Sequence, residues 1–283
     1  MKDSLGDRMK FFENFETGRI AMPGLPIMIR LDGKNFSKFT KGLERPYDKR
    51  LSDLMIETTK FLVKETNANC AYTQSDEITL VIYTDRESQP YFGGRFFKIT
   101  STLASRASVY FNRLLPEYLP EKVDQMPTFD CRVWQVPSLM EAVNAFIWRE
   151  NDATKNSITM AARCFYSYAE LLNVNGGVKQ EILFKKGINW NDYPAFFRRG
   201  SYIQRKVVNK KMTVDELETL PEKHLARQNP DMVIERSVIS VVDMPVLSTV
   251  TNRVDVIIYG KEPETKEVNS SILAGGLLNG QYK

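Results

Sequence analysis

From Pro26 to Val136 the spacing of apolar residues switches back and forth between short strand-like runs and the 3.6-residue period of a helix. Pro26–Leu31 (PIMIRL) is an apolar run bounded by Pro and by Asp-Gly, which reads as a buried strand. Residues 48–65 place Leu51, Leu54, Met55, Thr58 and Leu62 on one face, which predicts a helix. Cys70–Thr73 and Ile78–Tyr83 are strand-like runs separated by Gln-Ser-Asp-Glu, so they read as a hairpin. Phe96–Leu115 keeps Leu103, Ala104, Ala107, Phe111 and Leu114 in helical register, and Phe129–Val136 is a fourth strand. Ser138 with Glu141 three residues on is a capping-box pattern that opens a further helix. The order β-α-β-β-α-β predicts an α+β, ferredoxin-like core with helices and strands of the C-terminal half added to it.

That order has a chemical consequence. In such a sheet the first and third strands are central neighbours and run antiparallel. Asp32 ends the first, and Asp76 and Glu77 open the third, so three acids distant in sequence should meet at one edge. Clustered carboxylates call for a cation, and oxygen donors with few His or Cys favour magnesium. Two such metals are the usual device for phosphoryl or nucleotidyl transfer. The alternative stays open at this level: Asp-Gly as a simple turn and Ser-Asp-Glu as a polar hairpin tip. Gly33-Lys34-Asn35-Phe36-Ser37 follows Asp32 directly and suits backbone contact with a phosphate, although no GxxxxGK[ST] loop exists in the chain.

Composition excludes much else. In 283 residues His224 is the one histidine, so a histidine-rich zinc site cannot be built. Cys70, Cys131 and Cys164 are far apart and form neither a disulfide framework nor a CxxC motif; they read as buried spacers. No apolar run approaches a membrane span, and the charged start MKDSLGDRMK lacks a secretory core, which predicts a cytoplasmic protein. Arg198, Arg199, Arg205, Lys206, Lys210 and Lys211 form a basic run without an acid, either an electrostatic footprint for RNA or a solvated face. Phe196, Phe197 and Tyr202 within it read as core rather than as base-stacking groups, and Trp134, Trp148 and Trp190 likewise as packing. After Val208 the composition turns polar. Residues 1–208 and 209–283 are read as a main domain and an extension packed on it. That extension has a linker with a short helix, late strands at VIERSVISVV and VDVIIYG, and a loose tail from Lys261.

IRLDGKNFSKF, RPYD, YTQSDE, QEILFKKGINWND and PAFFRRG occur in that order, and together they resemble the tRNA(His) guanylyltransferase family. The resemblance runs from about Phe15 to Gln204. It implies a polymerase-like palm over residues 1–208 with tRNA-binding helices built in. It also implies addition of nucleotides to the 5′ end of a tRNA in the 3′→5′ direction. A 5′-monophosphate is first adenylylated with ATP, or a 5′-triphosphate is used directly, and the 3′-hydroxyl of GTP or another NTP attacks it. Two magnesium ions and a homotetramer are implied as well.

Carried onto this sequence, Asp32, Asp76 and the Gly33 carbonyl would hold metal, with Glu77 beside them. Lys34, Asn35, Phe36 and Ser37 would lie under the triphosphate, and Arg45, Asp48, Ser75 and Lys98 would contact nucleotide. Glu16, Arg30 and Lys98 would serve the activation step. Lys155, Asn156, Lys179, Asn189, Arg198 and Arg199 would face the tRNA. Two positions depart from the family pattern: Ser37 and Thr154 stand where histidine is common. These departures favour the guanylyltransferase-like 3′–5′ polymerases, which repair 5′-truncated tRNAs. A palm-type nucleotide cyclase or polymerase, or a non-enzymatic RNA-recognition module, are the competing readings; PIMIRL has no aromatic for the last.

Overall fold

A computed structural model of the chain describes residues 4–84 and 88–265. The predicted tail falls mostly outside them. The elements in order are α1 (Ser4–Thr17), β1 (Ile27–Gly33), α2 (Phe36–Phe39), α3 (Lys49–Thr66), β2 (Cys70–Gln74), β3 (Glu77–Ile82), α4 (Phe96–Tyr118), β4 (Phe129–Gln135) and α5 (Leu139–Ala162). There follow α6 (Tyr168–Leu171), α7 (Gly176–Phe184), α8 (Ala195–Arg199), β5 (Ser201–Lys211), α9 (Val214–Glu218), α10 (Leu225–Gln228), β6 (Val233–Val242) and α11 (Arg253–Tyr259). The strands form one antiparallel sheet in the order β4-β1-β3-β2-β5-β6. The first four are the expected ferredoxin-like unit, with β1 and β3 at its centre.

Alternation along β1 divides the core. Ile27, Ile29 and Leu31 face α3 and α4 in one cluster, joined by Leu54, Leu62, Leu103 and Phe111. Met28 faces the other way, toward Phe146 of α5 and Val256 and Ile257 of α11. Each buried side chain of this size contributes on the order of 2 kcal/mol. Asp48 caps α3 by accepting from Arg50 N–H, and Ser138 caps α5 by accepting from Glu141 N–H. A smaller cluster of Ile158, Leu183, Trp190 and Phe197 holds α7 and α8 against the second half of α5.

The C-terminal half corrects several expectations. The run Val254–Gly260, read as a strand, forms helix α11 through Tyr259 with Gly260 as its C-cap: Val256, Ile257 and Ile258 are three consecutive buried residues, which a short apolar run alone cannot distinguish from a strand. The polar linker contains two short helices, α9 and α10, and joins β5 to β6. Strand β5 runs through position 208 and pairs with β6 from Tyr202 to Lys211, so 209–211 continue the sheet. Cys164 is exposed rather than buried, and Trp148 is open to solvent. Phe197 and Tyr202 are core, as expected, and His224 is exposed and caps α10 through Nδ1. No residue of α1 is buried; Phe11, Phe12 and Phe15 are exposed. Among the described residues no helix is long and apolar enough to cross a membrane.

Candidate active site

Strand β1 includes Asp32 and Gly33, two residues beyond the apolar run, because the ladder continues through them. Asp32 pairs in register with Glu77 on β3 and with Asp130 on β4. Gly33 N–H donates to the Asp76 carbonyl at 3.1 Å, which brings the Ser75–Asp76 turn beside Asp32. Ser75 takes φ 53°, and its hydroxyl donates to Asp76 Oδ1 at 3.0 Å. Burial raises the Asp76 pKa, and the charge of Asp32 adds to that, against the opposing Ser75 hydrogen bond.

The three predicted acids share one edge, but Glu77 is differently placed. Arg149 of α5 donates to its Oε1 through Nε and to Asp152 Oδ2 through Nη2 at 3.1 Å. Burial still raises the Glu77 pKa, against Arg149 and Arg30. Arg132, on edge strand β4, lies 3.9 Å from Asp32 and 3.6 Å from Asp130. Among the described residues no three His, Cys, Asp or Glu side chains converge on one point. What fits a cation is therefore the Asp32–Asp76 pair supplemented by backbone oxygen and water. Both are hard donors, and a divalent ion would offset the burial that disfavours the Asp76 carboxylate.

Gly33 is required by packing. A Cβ there would lie 2.3 Å from the Phe36 ring, which is locked against Phe39, Phe111 and Phe129 at centroid separations of 4.9, 5.7 and 5.2 Å. Phe36 is buried, so only its backbone faces the loop; Lys34, Asn35 and Ser37 are exposed. Lys34 N–H bonds Thr128 O at 2.8 Å and fixes the loop to the start of β4. Asn35 adopts φ 59° and opens α2. The loop borders a groove with Lys38, Lys41 and Lys122. On the other side of the hairpin tip a cavity is lined by Tyr47, Asp48, Met55, Ser75, Met160 and Phe196.

The remaining predicted residues divide. Arg30 lies two residues before Asp32, on the face turned to α5. Arg45 is exposed, and its charge reaches Cys164 beyond α5. Asp48 is buried and satisfied by Glu44 N–H and by Arg50. Lys98 lies in the first turn of α4, over the Phe92 ring, at the far end of the sheet where Ile20 bridges Arg95. Glu16, exposed in the last turn of α1, lies four residues before that bridge. The fold therefore does not bring Glu16 and Lys98 to Asp32.

Lys155 and Asn156 are exposed on α5, and Asn156 donates to Asp152 at 3.4 Å. Lys179 donates to Thr159 Oγ1 at 3.1 Å, and Asn189 caps the turn at Trp190. Arg198 donates to Tyr193 O at 2.6 Å, and Arg199 pairs with Glu150 at 3.1 Å. Lys206 and Lys211 pair with Glu262 and Asp231. Much of the basic run thus has protein acceptors within the fold. Asp130, Arg132 and Glu150 escaped the sequence reading, which also gave Arg149 no role. The register of an edge strand and the face of a helix were the signals that could have found them.

A palm-like α+β sheet with two carboxylates at the abutting ends of its central antiparallel strands defines a palm-type protein with a candidate metal-and-phosphate site. The family described as tRNAHis guanylyltransferase matches residues 6–137. A bacterial tRNA(His) guanylyltransferase-like protein, solved in complex with ATP, is 33% identical. It covers 91% of this chain and 100% of its own, at a TM-score of 0.74. A second such structure, in complex with GTP, is 32% identical over 87% of this chain and 94% of its own, at a TM-score of 0.66. The tRNA(His) guanylyltransferase of Neurospora crassa is 29% identical over 75% of this chain and 79% of its length. The chain belongs to the tRNA(His) guanylyltransferase family.

Proposed function

We propose that this protein is a nucleotidyltransferase that adds nucleotides to the 5′ end of a tRNA in the 3′→5′ direction. The observation that carries the reading is the Asp32–Asp76 pair, held by β1 and the turn before β3 beside the Gly33–Ser37 loop. Asp32, Asp76 and the Gly33 carbonyl would hold two magnesium ions, which when bound neutralise phosphate charge and lower the pKa of the attacking hydroxyl. The 3′-hydroxyl of the incoming NTP forms a bond to the 5′ phosphorus as the bond to AMP or pyrophosphate breaks, and the hydroxyl proton passes to solvent. Such transfer depends on positioning and charge more than on a general base, so the scarcity of histidine is no obstacle.

This chain's own groups do the positioning. Lys34 and the backbone of Asn35–Ser37 receive the triphosphate, and the cavity at Tyr47, Ser75 and Met160 receives the nucleoside. Arg30, beside the acids, serves the activated 5′ end. Glu16 and Lys98, remote from the acids, are assigned no contact with the reacting atoms.

The substrate reading is general 5′-end repair rather than strict guanylylation of tRNA(His). Its support is local. Thr154 donates to Glu150 O, and Ser157 is buried, bonding Thr154 O, Arg198 O and Trp190 Nε1. This stretch of α5 is occupied with holding α8 and Trp190. The same reading expects a homotetramer, which light scattering measures.

The test is incubation of a 5′-truncated tRNA, as 5′-monophosphate and as 5′-triphosphate, with labelled NTPs, ATP and magnesium. Label at the 5′ end is expected; none under either condition overturns the reading.

A further inference from the structure

Helix α5 carries one large aromatic side chain that the fold leaves open beside the acids. Trp148 is 52% exposed, whereas Trp190 is buried and Trp134 of β4 is partly buried against the core. Two guanidinium groups lie over the Trp148 ring, Arg149 at 4.6 Å and Arg30 at 5.5 Å from its centroid. Arg149 is anchored by ion pairs, and Arg30 reaches the ring from the sheet. Arg149 is held by Glu77 and Asp152. Arg30 projects from β1 with its Nε buried and without a hydrogen-bond partner. A buried guanidinium nitrogen left unsatisfied is costly, so the placement of Arg30 calls for an explanation. Here both arginines fix the indole, and an indole braced by cations is a preformed platform for a planar heteroaromatic ring.

The platform is distinct from the cavity beside Ser75. That cavity is lined by Met160, twelve residues further along α5, about 18 Å down the helix axis. Trp148 instead precedes Arg149, which reaches Glu77, and Glu77 faces Asp32 in the sheet register. The Ser75 cavity and the exposed Trp148 ring thus occupy separate stretches of α5. Asp152, Lys155 and Thr159 follow Trp148 at helical spacing on one stripe of α5. Asp152 is neutralised by Arg149, Lys155 is exposed, and Lys179 joins the stripe at Thr159. An aromatic followed by two lysines matches a base followed by backbone phosphates.

We propose that the exposed indole of Trp148, backed by Arg30 and Arg149, stacks the base at the 5′ end of the RNA substrate and so holds its 5′ phosphate at Asp32 and Asp76. The inference rests on the reading of the site as a 5′-end nucleotidyltransferase. The base of the incoming NTP offers the same chemistry, and the experiment separates the two.

The full-length protein is titrated with a 5′-monophosphorylated truncated tRNA alone, and with ATP or GTP alone, while tryptophan fluorescence is followed; Trp148→Phe supplies the background from Trp134 and Trp190. The tRNA is expected to quench the Trp148 signal, and either nucleotide alone to leave it unchanged. In steady state, Trp148→Leu should raise KM for tRNA about tenfold with KM for NTP unchanged. Trp148→Phe, which still presents a ring, should recover most of that loss. Quenching by nucleotide alone, an unchanged KM for tRNA in Trp148→Leu, or equal losses in the Leu and Phe variants would overturn the platform. Transfer by Trp148→Leu at the wild-type KM leaves the enzymatic reading standing while the platform falls. Quenching by tRNA without any transfer does the reverse.

Discussion

Arg149 on α5 donates through Nε to Oε1 of Glu77 on β3, and this ion pair ties the helix packed across one face of the sheet to the strands that carry Asp32. Both side chains are largely buried, at 13% and 15% exposure. In that setting the pair adds little net stability as a pair, but loss of one partner leaves the other charge stranded. Arg149→Met is expected to cost about 3 kcal/mol in urea unfolding. Combining it with Glu77→Gln should recover most of that loss. A double variant as unstable as Arg149→Met alone would show that Glu77 is not what Arg149 holds.

Asp32→Asn and Asp76→Asn keep the shape of the site and remove its charge. Each is expected to lower nucleotide addition by at least about 100-fold. Melting temperature should hold or rise, because burial already favours the neutral form of Asp76. Chelation of the wild-type protein should mimic both variants, and added magnesium should rescue the wild type alone. Activity within tenfold of wild type in either variant removes that residue from the reacting centre.

Asp48 gives a pH signature. Burial alone would raise its carboxyl, but the Arg50 side chain and the N–H groups of Glu44 and Arg50 outweigh it and hold the pKa below the ordinary 3.8. The unfolded chain therefore takes up the proton first. The stabilisation is present above the unfolded value and is lost as pH falls through the folded one. Asp48→Ala should cost about 1–2 kcal/mol at pH 7. The gap to wild type should narrow as pH drops below 3.8. A gap constant from neutral to strongly acidic pH would exclude the carboxylate as its source. Because protein donors occupy both oxygens, affinity for NTP should change less than stability does.

The βαββαβ unit was legible because each element shows its own period and its own boundary residues. Asp32 and Asp76 could be brought together on paper because a ferredoxin-like order dictates which strand ends meet. Arg149 and Trp148 could not: their place depends on how α5 rotates over the sheet, and that is set by packing of Ala142, Val143 and Phe146. Arg198 and Arg199 read as an RNA surface because a run of charge carries no sign of the partners folding will supply. Those partners, Tyr193 and Glu150, come from a loop and a helix. Val254–Gly260 was misread because its buried run is too short to reveal a period.

Glu150 lies 3% exposed where α5, β5 and the segment after β6 meet. It accepts from Arg199 Nη1 at 3.1 Å, the Tyr202 hydroxyl at 3.0 Å and Leu247 N–H at 3.1 Å. Arg199 also donates to Met244 O. These bonds tie Arg199 into the fold, and the expectation drawn from them is that it does not meet RNA phosphate. Arg199→Met should therefore lower stability by about 3 kcal/mol, since the Glu150 charge stays buried. The slope of tRNA affinity against salt should not change, whereas loss of a phosphate contact flattens that slope by about one unit. Lys155→Met is the contrasting case: exposed and without a charge partner among the described residues, it should keep wild-type stability and flatten the slope. Wild-type stability with a flatter slope in Arg199→Met would return that arginine to the RNA surface.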